Sequence, residues 1–294
     1  MRTLFDSPEA PKVTLSPIAR ASLHVLASSS GGNCSALRVQ RQNGAASLIL
    51  IDLGLSPRRT RTYLAQAGLA DTPIAAMVLT HLDVDHAYPG WVGKVPPEVR
   101  VHMHRRHLGR GERDGFIFRT GVEPFDEAFE PVPGVVFRPM LAGHDSLGVA
   151  VFRVEFPECS ASLGYATDVG RPSDALAAHL RGVDVLAVES NYCPRLQLES
   201  DRPQFLKNRI MGGNGHLSNE QCLELTRRVL PRREVVLLHL SRQCNEPLLA
   251  ASYHAGSPYR LSVAAHDGPI AGVPVVEETL DLRAQTGTGA HVGV

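Results

Sequence analysis

A short apolar run that ends abruptly in four cation-ligand side chains restricts this chain more than any other feature. The stretch MVLTHLDVDHAYPGW, residues 77–91, puts His81, Asp83, Asp85 and His86 into six positions. Imidazole nitrogen and carboxylate oxygen are the usual donors for zinc and related cations. One turn carrying four of them can feed two adjacent ions only if further donors arrive from elsewhere. In α/β proteins such convergence happens at the C-terminal ends of buried strands.

The rest of the chain supplies those ends. Buried strands are expected at SLHVLAS, SALRVQR, SLILIDLG, IAAMVLT, EVRVHMH, GVVFRPM, GVAVFRVEF, SLGYATD, VDVLAVES and EVVLLHLS, from apolar runs and two-residue alternation bounded by turn residues. SPRRTRTYLAQAGL reads as a helix with Pro57 near its start and Gly68 at its end. SDALAAHLRG reads as a short helix capped by Ser173. LSNEQCLELTRRVL reads as a helix opened by a Ser218–Gln221 capping box, with Cys222, Leu225 and Val229 on its inner face. Residues 105–133, rich in glycine and charge, give no clear periodicity. Several strands end in a ligand residue type: the fourth leads to His81, SLGYAT to Asp168 and EVVLL to His239, while His144 follows GVVFRPM in the loop RPMLAGHD. No internal repeat or linker breaks this mixed order. The expected class is α/β: two mixed sheets with helices on the outer faces, forming one domain over residues 1–281, with a frayed tail at 282–294.

Composition narrows the partners. A formal net charge of +0 provides no broad field for nucleic acid or membrane, so any nucleic-acid contact has to be a local patch. No apolar run reaches membrane-spanning length, and the first residues, MRTLFDSPEAPKV, carry charge and proline where a signal peptide needs an apolar core. The five cysteines are scattered and lack a C-x-x-C pair, which fits a reducing cytoplasm better than a disulfide framework or structural zinc.

With THLDVDH, then GH at His144, TD at Asp168 and LLHLS at His239, the chain resembles the metallo-β-lactamase fold over roughly residues 22–245. ASSSGGNCS, VESNY, GNGHLSNEQC and LLHLSRQCNEP further resemble the YycJ/WalJ-like branch, a DNA exonuclease group related to the tRNase Z-like nucleases. The resemblance implies an αββα sandwich and two divalent metal ions, zinc being the usual one. It implies that His81, Asp83 and His144 hold the first ion, that Asp85, His86 and His239 hold the second, and that Asp168 bridges them. It implies hydrolysis of a phosphodiester in DNA or RNA by a hydroxide held between ions about 3.5–4 Å apart. Asp85 would orient that hydroxide, and His216 would protonate the leaving oxygen.

Asp83 departs from the branch, which usually has histidine there. A carboxylate lowers the net charge of the first site by one unit and shifts preference toward manganese or iron(II). It also leaves open a single-metal site. Hydrolysis of a small ester, lactone or cyclic nucleotide is the alternative function at the same centre. Di-iron electron transfer would need a flavin domain that the chain has little room for, and a non-catalytic metal-binding protein is a third class. The oligomeric state is left open.

Other features have competing readings. SSSGGN is either a phosphate cradle or a turn that supports the ligand loop. Ser241 and Asn245 face substrate or brace His239, and bracing is favoured. Glu189 and Asn191 in VESNY are expected behind the metal ligands. His216 has the plainer role of steadying the capped turn before Ser218. His102, His104 and His107 in VHMHRRH are a rival metal cluster without a carboxylate nearby in sequence, expected at the surface. HRRHLGRGERDG is expected to be a solvated loop rather than a DNA-contacting patch. Cys193 and Cys244 are expected to be buried small residues.

Overall fold

The computed structural model describes residues 15–116 and 121–277; the expected tail at 282–294 lies outside them. The strands in chain order are β1 (Ile18–Ala27), β2 (Cys34–Arg41), β3 (Ala46–Ile51), β4 (Ile74–Val78), β5 (Arg100–His104), β6 (Val122–Phe125), β7 (Phe129–Val132), β8 (Val135–Ala142), β9 (Val149–Phe156), β10 (Ala161–Ala166), β11 (Val185–Glu189), β12 (Glu234–Leu238), β13 (Arg260–Val263) and β14 (Val273–Val276). The helices are α1 (Pro57–Gln66), α2 (Leu108–Arg113), α3 (Asp174–His179), α4 (Pro194–Glu199), α5 (Gln204–Met211), α6 (Asn219–Val229) and α7 (Pro247–Ser252).

Two seven-stranded sheets face each other, in the orders β14-β1-β2-β3-β4-β5-β6 and β13-β12-β11-β10-β9-β8-β7. Each joins an antiparallel part to a parallel part. Strands β3 to β6 run parallel, as do β10 to β13. Strand β8 lies antiparallel to β9, and β9 to β10, so β8 points the same way as β10. The C-terminal ends of β3, β4, β8, β10 and β12 carry the chain into the loops that form the site.

Two-residue alternation on strands covered on both faces makes this a four-layer sandwich. In β3, Ile49 and Ile51 join the inter-sheet core, while Leu48 and Leu50 pack outward with Leu64 of α1. Across the core, Leu23, Leu37 and Val78 belong to the same cluster as Phe137, Phe152 and Tyr165. On the second sheet's outer face, Leu186, Val188 and Leu237 pack with Leu176 and Leu180 and with Cys222, Leu225 and Val229 of α6. Helix α6 starts with the expected capping box: the Ser218 hydroxyl accepts from the Gln221 N–H, and the Gln221 side chain accepts from the Ser218 N–H. Fully burying one such leucine or phenylalanine is worth about 1.5–3 kcal/mol.

Two expectations need correction, one about a strand boundary and one about accessibility. Strand β1 begins at Ile18, four residues before the expected start; a register shift at Ala21/Ser22 interrupts the alternation there. His102, His104 and His107 are buried rather than superficial. Strand β5 lies between β4 and β6, and aromatic rings cover the histidines: His102 stacks on Phe129 at 5.1 Å, and His104 meets the edge of Phe125 at 5.5 Å.

Candidate metal centre

The turn after β4 is held from three sides. Asp52, just past β3 and fully buried, accepts from the Thr80 N–H at 2.8 Å and from the Thr80 hydroxyl at 2.9 Å. Its second oxygen accepts from His86 Nδ1 at 2.7 Å. Asn33, from the Ser- and Gly-rich turn, gives its backbone N–H to the Asp85 carbonyl at 2.7 Å. Gly54 lies so close that a Cβ there would sit 1.7 Å from the Asp85 carbonyl oxygen, so no side chain fits. The turn therefore supports the ligand loop, and Ser28 extends that support by accepting from the His239 N–H at 2.8 Å.

Seven side chains from four loops meet here. His81 Nε2 stands 3.5 Å from Asp168 Oδ2 and 3.9 Å from Asp83 Oδ2. His144 Nε2 stands 3.6 Å from Asp83 Oδ2 and 3.9 Å from Asp168 Oδ2. On the other side, His86 Nε2 is 3.4 Å from Asp168 Oδ2 and 3.8 Å from Asp85 Oδ2. His239 Nε2 is 3.4 Å from both Asp85 Oδ2 and Asp168 Oδ1. Ligands about 2.0–2.1 Å from one cation at tetrahedral angles stand roughly 3.4 Å apart. The donors thus have cation spacing, slightly wider on the side of His81 and His144.

The ring orientations agree. Thr80 gives its one hydroxyl hydrogen to Asp52, so at 3.0 Å it accepts from His81 Nδ1–H and leaves His81 Nε2 with a lone pair. That Nε2 is buried and has no hydrogen-bond partner. His144 Nδ1 donates to the Gly215 carbonyl at 3.1 Å, which again turns Nε2 inward. An orphaned buried nitrogen, inward lone pairs and three carboxylates make a donor set that fits one or two divalent cations.

Without a cation these groups compensate one another. Burial opposes ionisation of Asp168, but the charges of His239 and His86 hold its carboxyl well below the usual range. Burial likewise opposes protonation of His144, yet Asp83 and Asp168 push its ring up to about 9. Asp83 is held low by His144 and, against burial, by His81 and Arg110. Asp52, Asp168 and His239 all adopt positive φ (62°, 55° and 54°), a conformation costly for residues with a Cβ.

His216 lies at the pocket wall beside these groups. Its Nδ1 donates to Glu189 Oε2 at 3.0 Å, and its ring stacks on His239 with centroids 5.1 Å apart. Glu189 is fully buried and also accepts from the Leu217 N–H. Asn191 stands 2.9 Å from His239 Nδ1. Asn245 makes no hydrogen bond to His239: it donates to the Ser190 and Asn191 carbonyls, and reaches His239 only through Asn191. Ser241 lines the pocket and accepts from Arg202 at 3.1 Å. The cavity over the centre measures about 370 Å³ and is also lined by Ser30, Leu206, Arg209 and Ile210.

The Beta-lactamase superfamily domain matches residues 48–240. The chain belongs to the β-lactamase superfamily. Within the superfamily's two-sheet frame, it is 27% identical over 241 residues to exodeoxyribonuclease WalJ of Streptococcus pneumoniae serotype 2, covering 77% of this chain and 84% of that one. It is 25% identical over 237 residues to exodeoxyribonuclease YycJ of Bacillus anthracis, with the same two coverages. Among solved structures, the metallo-β-lactamase fold protein YhfI from Bacillus subtilis superposes with a TM-score of 0.62 at 13% identity, covering 85% of this chain and 99% of that one.

Sequence reasoning missed four residues around the centre. Asp52 was visible only as a strand end. Arg110 sits in the segment without periodicity, and its guanidinium is 2.9 Å from Asp83 Oδ1. Arg202 and Arg209 belong to a region where no helix was expected. The rival histidines do not assemble a site: no group of three or more ligand types within metal-binding reach includes them among the described residues. The charged segment is not the expected solvated loop: Leu108–Arg113 form α2, His104, His107 and Gly111 are buried, and Arg110 reaches the centre, while Arg105, paired with Asp126 at 2.6 Å, stays at the surface.

Proposed function

We propose that this superfamily member is a metal-dependent phosphodiesterase acting on a nucleic-acid strand. The observation that carries this reading is the set of seven donors at cation spacing around Asp168, beneath a pocket lined by arginine and His216. In this reading His81, Asp83 and His144 would hold a first divalent cation and Asp85, His86 and His239 a second, with Asp168 available to both sets. Bound there, two cations neutralise phosphate charge and acidify a water molecule. Asp85, on the exposed side of the pair, orients that water. Glu189 fixes His216 Nδ1, so His216 Nε2 is the atom left to protonate the leaving oxygen.

The nucleic-acid part rests on the pocket mouth and on the names of the relatives. Arg209 lines the pocket, and its guanidinium makes no ion pair or hydrogen bond with the described residues. Phe205, one turn earlier on the same face of α5, is 74% exposed. A free cation for phosphate and an aromatic ring for a base are what a single strand needs, despite the neutral overall charge. Five unpaired cysteines fit a cytoplasmic enzyme. No helix among the described residues is long and apolar enough to cross a membrane.

The test is hydrolysis of single- and double-stranded oligonucleotides, bis-p-nitrophenyl phosphate, lactones and thioesters, after chelation and add-back of zinc or manganese. Strand cleavage restored by metal is expected. His216→Ala should lower turnover about 10²–10⁴-fold with metal content unchanged. Turnover of a lactone or thioester with intact oligonucleotides would overturn the nuclease reading and favour the small-ester alternative.

A further inference from the structure

The first cluster contains a compensation that its residue types alone do not reveal. Asp83 uses its two oxygens differently. Oδ2 faces His144 Nε2 at 3.6 Å, while Oδ1 is taken by Arg110 Nη2 at 2.9 Å. The same guanidinium is fixed on its other edges. Nη2 also donates to the Leu82 carbonyl at 3.2 Å, Nε donates to Asp114 at 3.2 Å, and Nη1 stands 3.5 Å from Asp145. Leu82 lies in the loop of His81 and Asp83, and Asp145 follows His144 directly. One planar fork therefore spans both loops that carry the first cluster, at a side-chain exposure of 25%. A lysine, with a single point charge, could not reach all these acceptors in fixed directions.

We infer that Arg110 is a positioning residue that makes Asp83 imitate a histidine toward a cation. With Oδ1 occupied, the carboxylate offers one donor atom, as an imidazole does. With the guanidinium beside it, at a shorter distance than to Asp114 or Asp145, the charge that Asp83 presents to a cation is reduced toward that of a neutral imidazole. The shift toward hard, higher-coordinate cations that a bare carboxylate would impose is thereby offset. The first cluster keeps the selectivity of a nitrogen-rich site although aspartate stands in it.

This rests on the reading that the first cluster holds a cation, and the experiment separates the two. Metal-free wild type, R110Q, R110K, D83H and D83H/R110Q are titrated with zinc and manganese against a chromophoric chelator, which gives stoichiometry and affinity without an activity assay. The visible absorption of the cobalt(II)-loaded proteins reports coordination number, intense when four-coordinate and weak when six-coordinate. Wild type should bind two cations per chain. R110Q should lower the zinc-to-manganese affinity ratio of the weaker site about tenfold, as outer-partner changes at metal sites do, and weaken the cobalt bands. R110K should fall in between. D83H should bind less tightly at that site, because Arg110 then faces an imidazole and a cation, and D83H/R110Q should recover the affinity.

Equal loss of zinc and manganese in R110Q, with additive effects in the double variant, would reduce Arg110 to a loop tether and overturn the inference. A single cation per wild-type chain would overturn the two-cation reading instead. If R110Q fails to fold, R110K and D83H still decide: D83H binding zinc at that site as tightly as wild type, or R110K matching wild type for both cations, overturns the inference.

Discussion

Two neighbouring turns of this molecule are rich in histidine, and only one forms a centre. His81 and His86 follow β4; His102, His104 and His107 lie along and just after β5, the next strand in the same sheet. All five are buried. The first turn meets Asp52, Asp83, Asp85 and Asp168, and burial is outweighed at His86, whose ring is raised well above its ordinary value by Asp168 and Asp52. The second turn meets phenylalanine. There burial dominates, and it pushes His107 down to about 4 and lowers His102 and His104. Histidine density and burial are common to both; buried carboxylates separate a cation pocket from a patch of neutral core.

The comparison breaks most visibly at Asp168. Asp168→Ala removes the group that both donor sets share. Cation content should fall from two to one or none, and strand hydrolysis should drop by several kcal/mol of barrier, roughly three to five decades at about 1.4 kcal/mol each. His107→Leu should leave metal content and turnover unchanged. Loss of metal in the leucine variant, read by elemental analysis, would show that the second turn belongs to the centre after all.

A smaller effect is expected at Asp52. Asp52→Asn keeps the shape but loses the charge that orients His86 and accepts from Thr80. Affinity for the second cation should fall about 10–100-fold, with turnover recovering at high metal concentration. Unchanged affinity would mean that backbone contacts alone hold the turn.

The least effect, and the one that tests the second turn, is on acid stability. The folded-state value of His107 is about 4, against an ordinary 6.5. Below 6.5 the unfolded chain takes up a proton that the folded chain refuses. Stability is therefore lost as pH falls from 6.5 toward 4, and below that no more is lost through this group. His107→Leu should remove this part of the slope in urea-melting midpoints of the metal-free protein. An identical slope in both proteins would place the acid sensitivity elsewhere, His254 being the next candidate since burial also lowers it to about 4.

The ligand order was readable because each donor follows a long apolar run, and the end of a run is visible without knowing what lies opposite. The four edge strands, β6, β7, β13 and β14, were not readable, two of them for a local reason. VEPF and FEPV carry Pro124 and Pro131, which demote a run in any reading by pattern; they are tolerated because β6 and β7 each close one side of a sheet. Helices α4 and α7 have six residues each and α5 has eight, too few for a helical period to stand out. Arg110 was hidden differently. Its meaning lies in the distance to Asp83, 27 positions away across a segment of glycine and charge. The buried histidines after β5 were misjudged because HMHRRH reads as polar while its cover comes from Phe125 and Phe129.

The left-handed backbone at Asp52, Asp168 and His239 has a consequence for anyone who would engineer this chain. Glycine at any of the three would relax the main chain locally, but at Asp52 and Asp168 it would also orphan the buried groups of Thr80, His81 and His86. The strain is therefore held in place by the same contacts that build the centre, and a variant that loses those side chains should lose folding stability together with its donors.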